Sequence, residues 1–269
     1  MTHVDTGRFQ DAERYAAYLR TTEGKLRADL GWANLRTFLP LSGVGMRALD
    51  VGGGTGVFAL RFAALGFEVN LLDNSEAMLA HAKKEANAEG LTRRISFCHS
   101  DANCLPSMFE LGSFDVLVCH NLLEYVEDPF AVLRGLRCLL KEDGNSVVSL
   151  LVRNRYGEVL KSAIKDRDLE LSKAALLSEK VLDTLYGQPV RVFDPLDFRR
   201  TVVRAGLKLL AAYGVRVLAD YLGCEALTAD YYRRLLDFEL LLGAQPQFAA
   251  VARYTQVIAC PEPNLREEK

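Results

Sequence analysis

Between Ala48 and Gly56 the chain reads Ala-Leu-Asp-Val-Gly-Gly-Gly-Thr-Gly, an apolar strand running into a glycine turn that opens a helix. Residues without a Cβ tolerate positive φ and let backbone approach a nucleotide-like ligand at a helix N-terminus. The spacing narrows the ligand. A dinucleotide fingerprint requires Gly-x-Gly-x-x-Gly, and counted from Gly52 its third glycine falls on Val57, which argues against a nicotinamide enzyme. The turn is instead Gly52-Gly53-Gly54-Thr55-Gly56 with Asp50 just ahead. Asp73 closes the run Leu71-Leu72-Asp73. An acid there can accept two hydrogen bonds from a ribose diol, or cap the turn that follows. Asp101, before Ala102, is a ligand contact or a turn former. His120 ends the apolar run Val116 to Cys119. It can touch a ligand, serve as a base, or be a satisfied structural histidine.

These residues recur at equivalent places in a strand–helix alternation. Strands are expected at 47–51, 68–73, 94–99, 114–120 and 146–152, with helices at 57–65, 75–90 and 130–140. Ser75 caps one helix and Asp128-Pro129 starts another. Glu124 to Val126 reads as a surface turn. Such βα repeats give an α/β fold with a mostly parallel sheet between helices, and ligands bind beyond the carboxyl ends of its strands. Gly52, Asp73, Asp101 and His120 all fall there. Two helices, 9–20 and 25–39, precede the alternation and are interrupted at Thr21 to Gly24. Residues 155–193 read as a helical insert over the strand ends. A helix (195–205), a strand (207–218), a long helix (229–242) and a last, antiparallel strand (253–260) follow. One domain is expected, with a helical lid (1–40), a ligand-binding core (47–152), the insert (153–195) and a sheet closure (196–260). The tail from Pro261 reads as frayed.

Composition excludes several classes. Apolar residues make up 49% and charged residues 25% of 269, with a formal net charge of −2. That is a soluble globular balance with no global field for nucleic acid. The N-terminus lacks the apolar core of a secretory signal, and no apolar run reaches the ~20 residues of a membrane span. The six cysteines lack metal-ligand spacing and read as reduced buried thiols of a cytoplasmic protein without a metal.

The glycine turn with Asp50 and Asp73 resembles the first motifs of class I S-adenosyl-L-methionine-dependent methyltransferases. Four blocks narrow the resemblance: Thr21-Thr22-Glu23-Gly24-Lys25-Leu26-Arg27, His120 to Pro129, Asn154-Arg155-Tyr156-Gly157, and Tyr213 to Leu222. Together they are similar to the bacterial tRNA 5-carboxymethoxyuridine methyltransferase family over residues 10–260. The resemblance implies a Rossmann-like three-layer sandwich with a seven-stranded sheet and S-adenosylmethionine as cofactor. It implies that Arg27 reaches the cofactor carboxylate, and that Asp50, Gly52, Gly53, Gly54 and Gly56 form the turn at its amino-acid end. Asp73 then takes the ribose, Asp101 and Ala102 the adenine, and His120 a further cofactor contact. On the acceptor side it implies Arg216, with Tyr125, Asn154 and Tyr221 beside it.

The implied reaction is methylation of a carboxylate oxygen on a tRNA wobble uridine. A carboxylate is ionised at neutral pH (reference pKa ~4), so no general base is required. A guanidinium fork matches its geometry. The resembled family carries a dense lysine run where this chain has the nearly neutral stretch Ser178 to Arg191. Basic residues cluster instead at Arg153/Arg155, Arg199/Arg200/Arg204 and Arg233/Arg234. A small carboxylate or hydroxyl acceptor is the alternative substrate.

Overall fold

Parallel strands that read as unbroken apolar runs must be covered on both faces. The computed structural model describes residues 11–183, 185–222 and 228–262. Its parallel strands are β1 (Arg47–Val51), β2 (Glu68–Asp73), β3 (Ile95–His99), β4 (Val116–His120) and β5 (Val147–Arg153). A two-stranded hairpin, β6 (Lys180–Leu182) and β7 (Pro189–Arg191), stands apart. The main sheet closes with β8 (Leu207–Val215) and β9 (Tyr254–Pro261). Its order is β3-β2-β1-β4-β5-β9-β8, with β9 antiparallel to both neighbours. The order reverses beside β1, and the glycine turn lies at that switch point.

The helices are α1 (Ala12–Arg20), α2 (Thr22–Arg36), α3 (Val57–Ala64), α4 (Glu76–Ala88), α5 (Leu105–Met108), α6 (Pro129–Leu139), α7 (Arg155–Leu160), α8 (Leu169–Leu177), α9 (Pro195–Arg204), α10 (Ala229–Gly243) and α11 (Pro246–Ala249). Leu133, Leu136 and Val202 of α6 and α9 bury one sheet face; Leu35, Phe62 and Ala82 of α2, α3 and α4 bury the other. Among the described residues no helix is long and apolar enough to cross a membrane.

Several expectations are corrected. The interruption expected at Thr21 to Gly24 is confined to Thr21, which is extended at ψ 158, and the second helix starts at Thr22 rather than Lys25. The Thr21 hydroxyl accepts from Gly24 N–H at 3.1 Å and caps α2, while the missing side chain of Gly24 lets the Tyr18 carbonyl approach. α2 is a core helix rather than part of a lid, since Leu26, Leu30 and Leu35 are fully buried. The insert is helical only to Leu177, because Gly187 takes positive φ and Pro189 opens a strand, which suits a hairpin. Cys119 is buried, whereas Cys104 and Cys138 are exposed. Cys224 and the tail from 263 lie outside the described residues.

β8 stops at Val215, three residues before its expected end. Arg216 sits in the left-handed region at φ 61. The next three backbone N–H groups, of Val217, Leu218 and Ala219, all donate to the fully buried Glu239 carboxylate at 2.6–2.9 Å. A side chain on α10 thus supplies the acceptors that would otherwise continue the strand, and the chain turns sharply with Arg216 at the corner. Glu239→Gln places an N–H against one of these donors. It is expected to cost about 2 kcal/mol, read as a lowered midpoint in urea unfolding with an unchanged slope.

Candidate active site

The carboxyl ends of β1, β2 and β4, the loops after them, α1 and the β6–β7 hairpin enclose a cavity of about 690 Å³. This lies within the range of nucleotide and cofactor sites. At one end is the glycine turn. Gly52 and Gly54 have φ of 66° and 54°, and a Cβ on Gly52 would meet Leu122 at 3.0 Å. Both line the cavity. Gly53 and Gly56 do not line this chamber. A Cβ on Gly53 would fall 2.8 Å from the Asp50 carboxylate, and one on Gly56 would meet Ala82 of α4 at 3.0 Å. These two glycines let the turn pack.

Asp50 lies behind the turn and accepts from Ala59 N–H at 3.1 Å. Burial, reinforced by the Asp73 charge, pushes its carboxyl up to about 7. Asp73 lines the cavity and holds the turn in shape, accepting from Gly54 N–H at 2.8 Å and Ser75 N–H at 2.9 Å. The Asn74 N–H also bonds this carboxylate, and its two oxygens still keep a lone pair for a ligand. Asp101 and Ala102 border the same wall, with Asp101 fixed by the Asn103 N–H at 2.8 Å. His120 closes the floor, edge-on to Phe58 with ring centroids 4.5 Å apart.

Arg27 reaches into the cavity from α2. Its guanidinium bonds the Tyr15 hydroxyl at 2.9 Å and lies 5.0 Å above the Tyr18 ring. Among the described residues it forms no ion pair with a carboxylate, although it is buried. A buried guanidinium served only by phenols is suited to an incoming carboxylate. With two glycines at positive φ and Asp73 beside them, the residues present fit the methionine and ribose parts of S-adenosylmethionine.

The opposite end is cationic. The register places Arg153 of β5 and Val215 of β8 on either side of Tyr254 of β9. Arg253, just before β9, donates its N–H to the Arg216 carbonyl at 2.8 Å. Arg153, Arg216, Arg253 and Tyr254 all line the cavity. Three carboxylates offset the cations. Glu158 pairs with Arg153 at 2.7 Å and Arg253 at 2.5 Å, Asp183 pairs with Arg153 at 2.7 Å, and Asp220 pairs with Arg216. Arg216 also donates to the Tyr18 hydroxyl at 3.1 Å. Burial pushes the Tyr254 phenol up, but the guanidiniums of Arg153, Arg27, Arg216 and Arg253 outweigh it and bring the group down to about 8.

Tyr125 stands on the cavity wall with Arg216. Asn154 and Tyr221 do not. Asn154 is fully buried, and its amide donates to the carbonyls of Ala250 and Ala252 at 2.9 and 2.8 Å, tying α7 to the start of β9. Tyr221 ends a short helical turn away from the cavity lining. Glu124 is no surface residue. It is buried and accepts from the Arg153 N–H at 2.8 Å, which seats the β4 loop against the end of β5. Tyr15, Tyr18, Asp183, Asp220 and Tyr254 carry no local motif, so their roles appear only once the strands are in register.

Comparisons with known proteins agree with this geometry. A family model described as "Methyltransferase domain" matches residues 42–186. The tRNA 5-carboxymethoxyuridine methyltransferase of Escherichia coli K12 is 31% identical over 240 residues, covering 89% of each chain. The chain belongs to the S-adenosylmethionine-dependent methyltransferase family. A ubiquinone biosynthesis O-methyltransferase of Ruegeria pomeroyi is 35% identical over 135 residues, half of each chain. In fold, the methyltransferase resembles a Thermotoga maritima structure described as a SAM-dependent methyltransferase, possible histamine N-methyltransferase. The TM-score is 0.61 at 14% identity, over 95% of this chain and 98% of that one.

Glu158 tests the cationic end. Burial pushes its carboxyl up, but Arg253 and Arg153 dominate and hold it at about 2, against 4.5 for a free group. Its folded pKa is depressed, so its stabilisation is complete above pH 4.5 and is lost as pH falls through about 2. A shift of this size corresponds to roughly 3 kcal/mol. Glu158→Gln is expected to lower the melting temperature clearly at pH 7, and the gap from the parent enzyme to narrow steadily as the pH drops below 4.5.

Proposed function

We propose that the enzyme methylates a carboxylate oxygen, and that the acceptor is a carboxymethoxy group on a tRNA uridine. One observation carries the reading: Arg216 is buried at the cavity wall, in a left-handed conformation, in the chamber that the glycine turn also lines. A solvated strand-edge arginine needs neither burial nor a strained backbone. The whole-chain likeness to a tRNA 5-carboxymethoxyuridine methyltransferase supports the nucleoside.

When bound, S-adenosylmethionine supplies a methyl group on a sulfonium, which a carboxylate oxygen displaces without proton transfer. Arg27 takes the carboxylate of its methionine part, and Gly52 and Gly54 leave room for the same end. Asp73 orients the ribose, and Asp101 with Ala102 borders the base. Arg216, aligned by Asp220 and Tyr18, holds the acceptor carboxylate and turns one oxygen towards the glycine end. Tyr125 and Tyr254 wall the acceptor and exclude water. His120 is half-buried, and its imidazole is driven down to about 3 by desolvation and by the Arg27 charge, so it is neutral at physiological pH. Its role is contact, since a carboxylate acceptor gives a base nothing to remove.

A second reading, a small carboxylate or hydroxyl acceptor, is favoured by the nearly neutral segment 178–191, whose hairpin borders the cavity. Nucleoside mass spectrometry of tRNA from a strain lacking the protein separates the two. Loss of the uridine methyl ester with accumulation of the free acid supports tRNA; unchanged nucleosides exclude it. In either case Arg216→Ala is expected to raise the acceptor KM by about 10- to 100-fold. Calorimetric affinity for S-adenosylhomocysteine is expected to stay within about threefold. Parallel loss of both would make Arg216 structural.

A further inference from the structure

His120 is the end of a hydrogen-bond chain that runs through the sheet. Its Nε2 lies 2.7 Å from the Ser149 hydroxyl on β5. Ser149 is fully buried and also receives a hydrogen bond from the Gln256 side-chain amide on β9, at 2.9 Å. The same amide nitrogen donates to the Gly31 carbonyl at 2.9 Å. The Asn34 amide donates to the Gln256 side-chain oxygen at 2.9 Å.

The direction of each bond follows from what each group can do. The Gly31 carbonyl only accepts, so the side of the Gln256 amide facing it must be the NH₂. The second hydrogen of that NH₂ then goes to Ser149. A hydroxyl has one hydrogen to give, and Nε2 of His120 is the acceptor within its reach. Nε2 therefore carries no proton, and the ring proton sits on Nδ1.

Nδ1 is buried and has no hydrogen-bond partner within the protein. That edge of the ring packs against Gly31 of α2, where an added Cβ would stand 3.8 Å from Nδ1. The ring borders both the main chamber and a smaller void of about 40 Å³ beneath the glycine turn, lined also by Arg27, Asp50 and Gly53.

We infer that Ser149, Gln256 and Asn34 are positioning residues that lock His120 as the neutral Nδ1–H tautomer, so that the ring bordering the cofactor chamber carries no charge. This rests on the cofactor placement given above. A neutral ring beside a sulfonium adds no repelling charge, which an imidazolium would. It also keeps the Nε2 lone pair occupied, so that no competing nucleophile faces the methyl group. The depressed basicity of the ring is consistent with a neutral imidazole.

The tautomer is read directly by long-range ¹H–¹⁵N correlation on enzyme labelled at its histidines, at neutral pH without ligand. The signals of His120 are assigned by their loss in His120→Asn. The expected pattern is a neutral ring protonated on Nδ1. A ring protonated on Nε2, or a doubly protonated ring, overturns the inference using the parent enzyme alone. Gln256→Glu reverses the logic, because a carboxylate accepts the Ser149 hydrogen and leaves Nε2 to donate. The variant is expected to show the Nε2–H pattern. Retention of the Nδ1–H pattern in that variant excludes the chain as its cause.

Discussion

Arg153, Arg216 and Arg253 are buried around Tyr254 where β5, β9 and β8 end, and the acceptor half of the cavity is organised by keeping those charges paired. Guanidiniums taken out of water need carboxylates at close range and in good geometry. Each carboxylate comes from a different element. Glu158 comes from α7, Asp183 from the β6–β7 hairpin and Asp220 from the turn after β8. Pairing with Arg153 therefore fixes the insert against the sheet, while the Arg216–Asp220 pair braces the post-β8 loop internally. Glu239 fixes that same loop from α10 through three backbone N–H groups.

Arg27 and Arg216 are served differently. Arg27, at the glycine end, is surrounded by phenols and has no protein carboxylate as partner among the described residues. Arg216, at the other end, is already paired with Asp220 and faces the cavity with its neighbours. The two share Tyr18, whose ring lies beneath Arg27 and whose hydroxyl accepts from Arg216. α1 therefore contributes directly to both ends, and its position depends on the close contact with α2 at Gly24. Both guanidiniums also lie 5.7 Å from the Tyr254 ring, so Arg27 and Arg216 belong to one cationic wall. In the proposed reaction, alignment and water exclusion supply the catalysis without an acid or base.

The sheet was legible because each parallel strand is an apolar run followed by a periodic helix, and Gly52, Asp73, Asp101 and His120 sit at the ends of such runs. Residue spacing located that half of the cavity. The other half depends on long-range charge pairing, which leaves no local pattern. Nothing near Asp183 announces that it meets Arg153, and Glu124 looks like a turn residue until β5 is placed beside it. Asn154 shows the converse. It lies in a block shared with the resembled family, yet its amide serves two backbone carbonyls and it stands behind the cavity wall. The early end of β8 was invisible for the same reason, since the carboxylate that ends it is more than twenty residues away on α10.

The central claim is that the glycine turn, Arg27 and Asp73 receive the amino-acid and ribose parts of the methyl donor while Arg216 stays open to the acceptor. A crystal structure of the enzyme with S-adenosylhomocysteine tests it most directly. The account predicts the ligand carboxylate on the Arg27 guanidinium, the ribose hydroxyls on Asp73 and no ligand atom on Arg216. A ligand carboxylate bound by Arg216, or a nucleoside lodged away from Asp73, would contradict it.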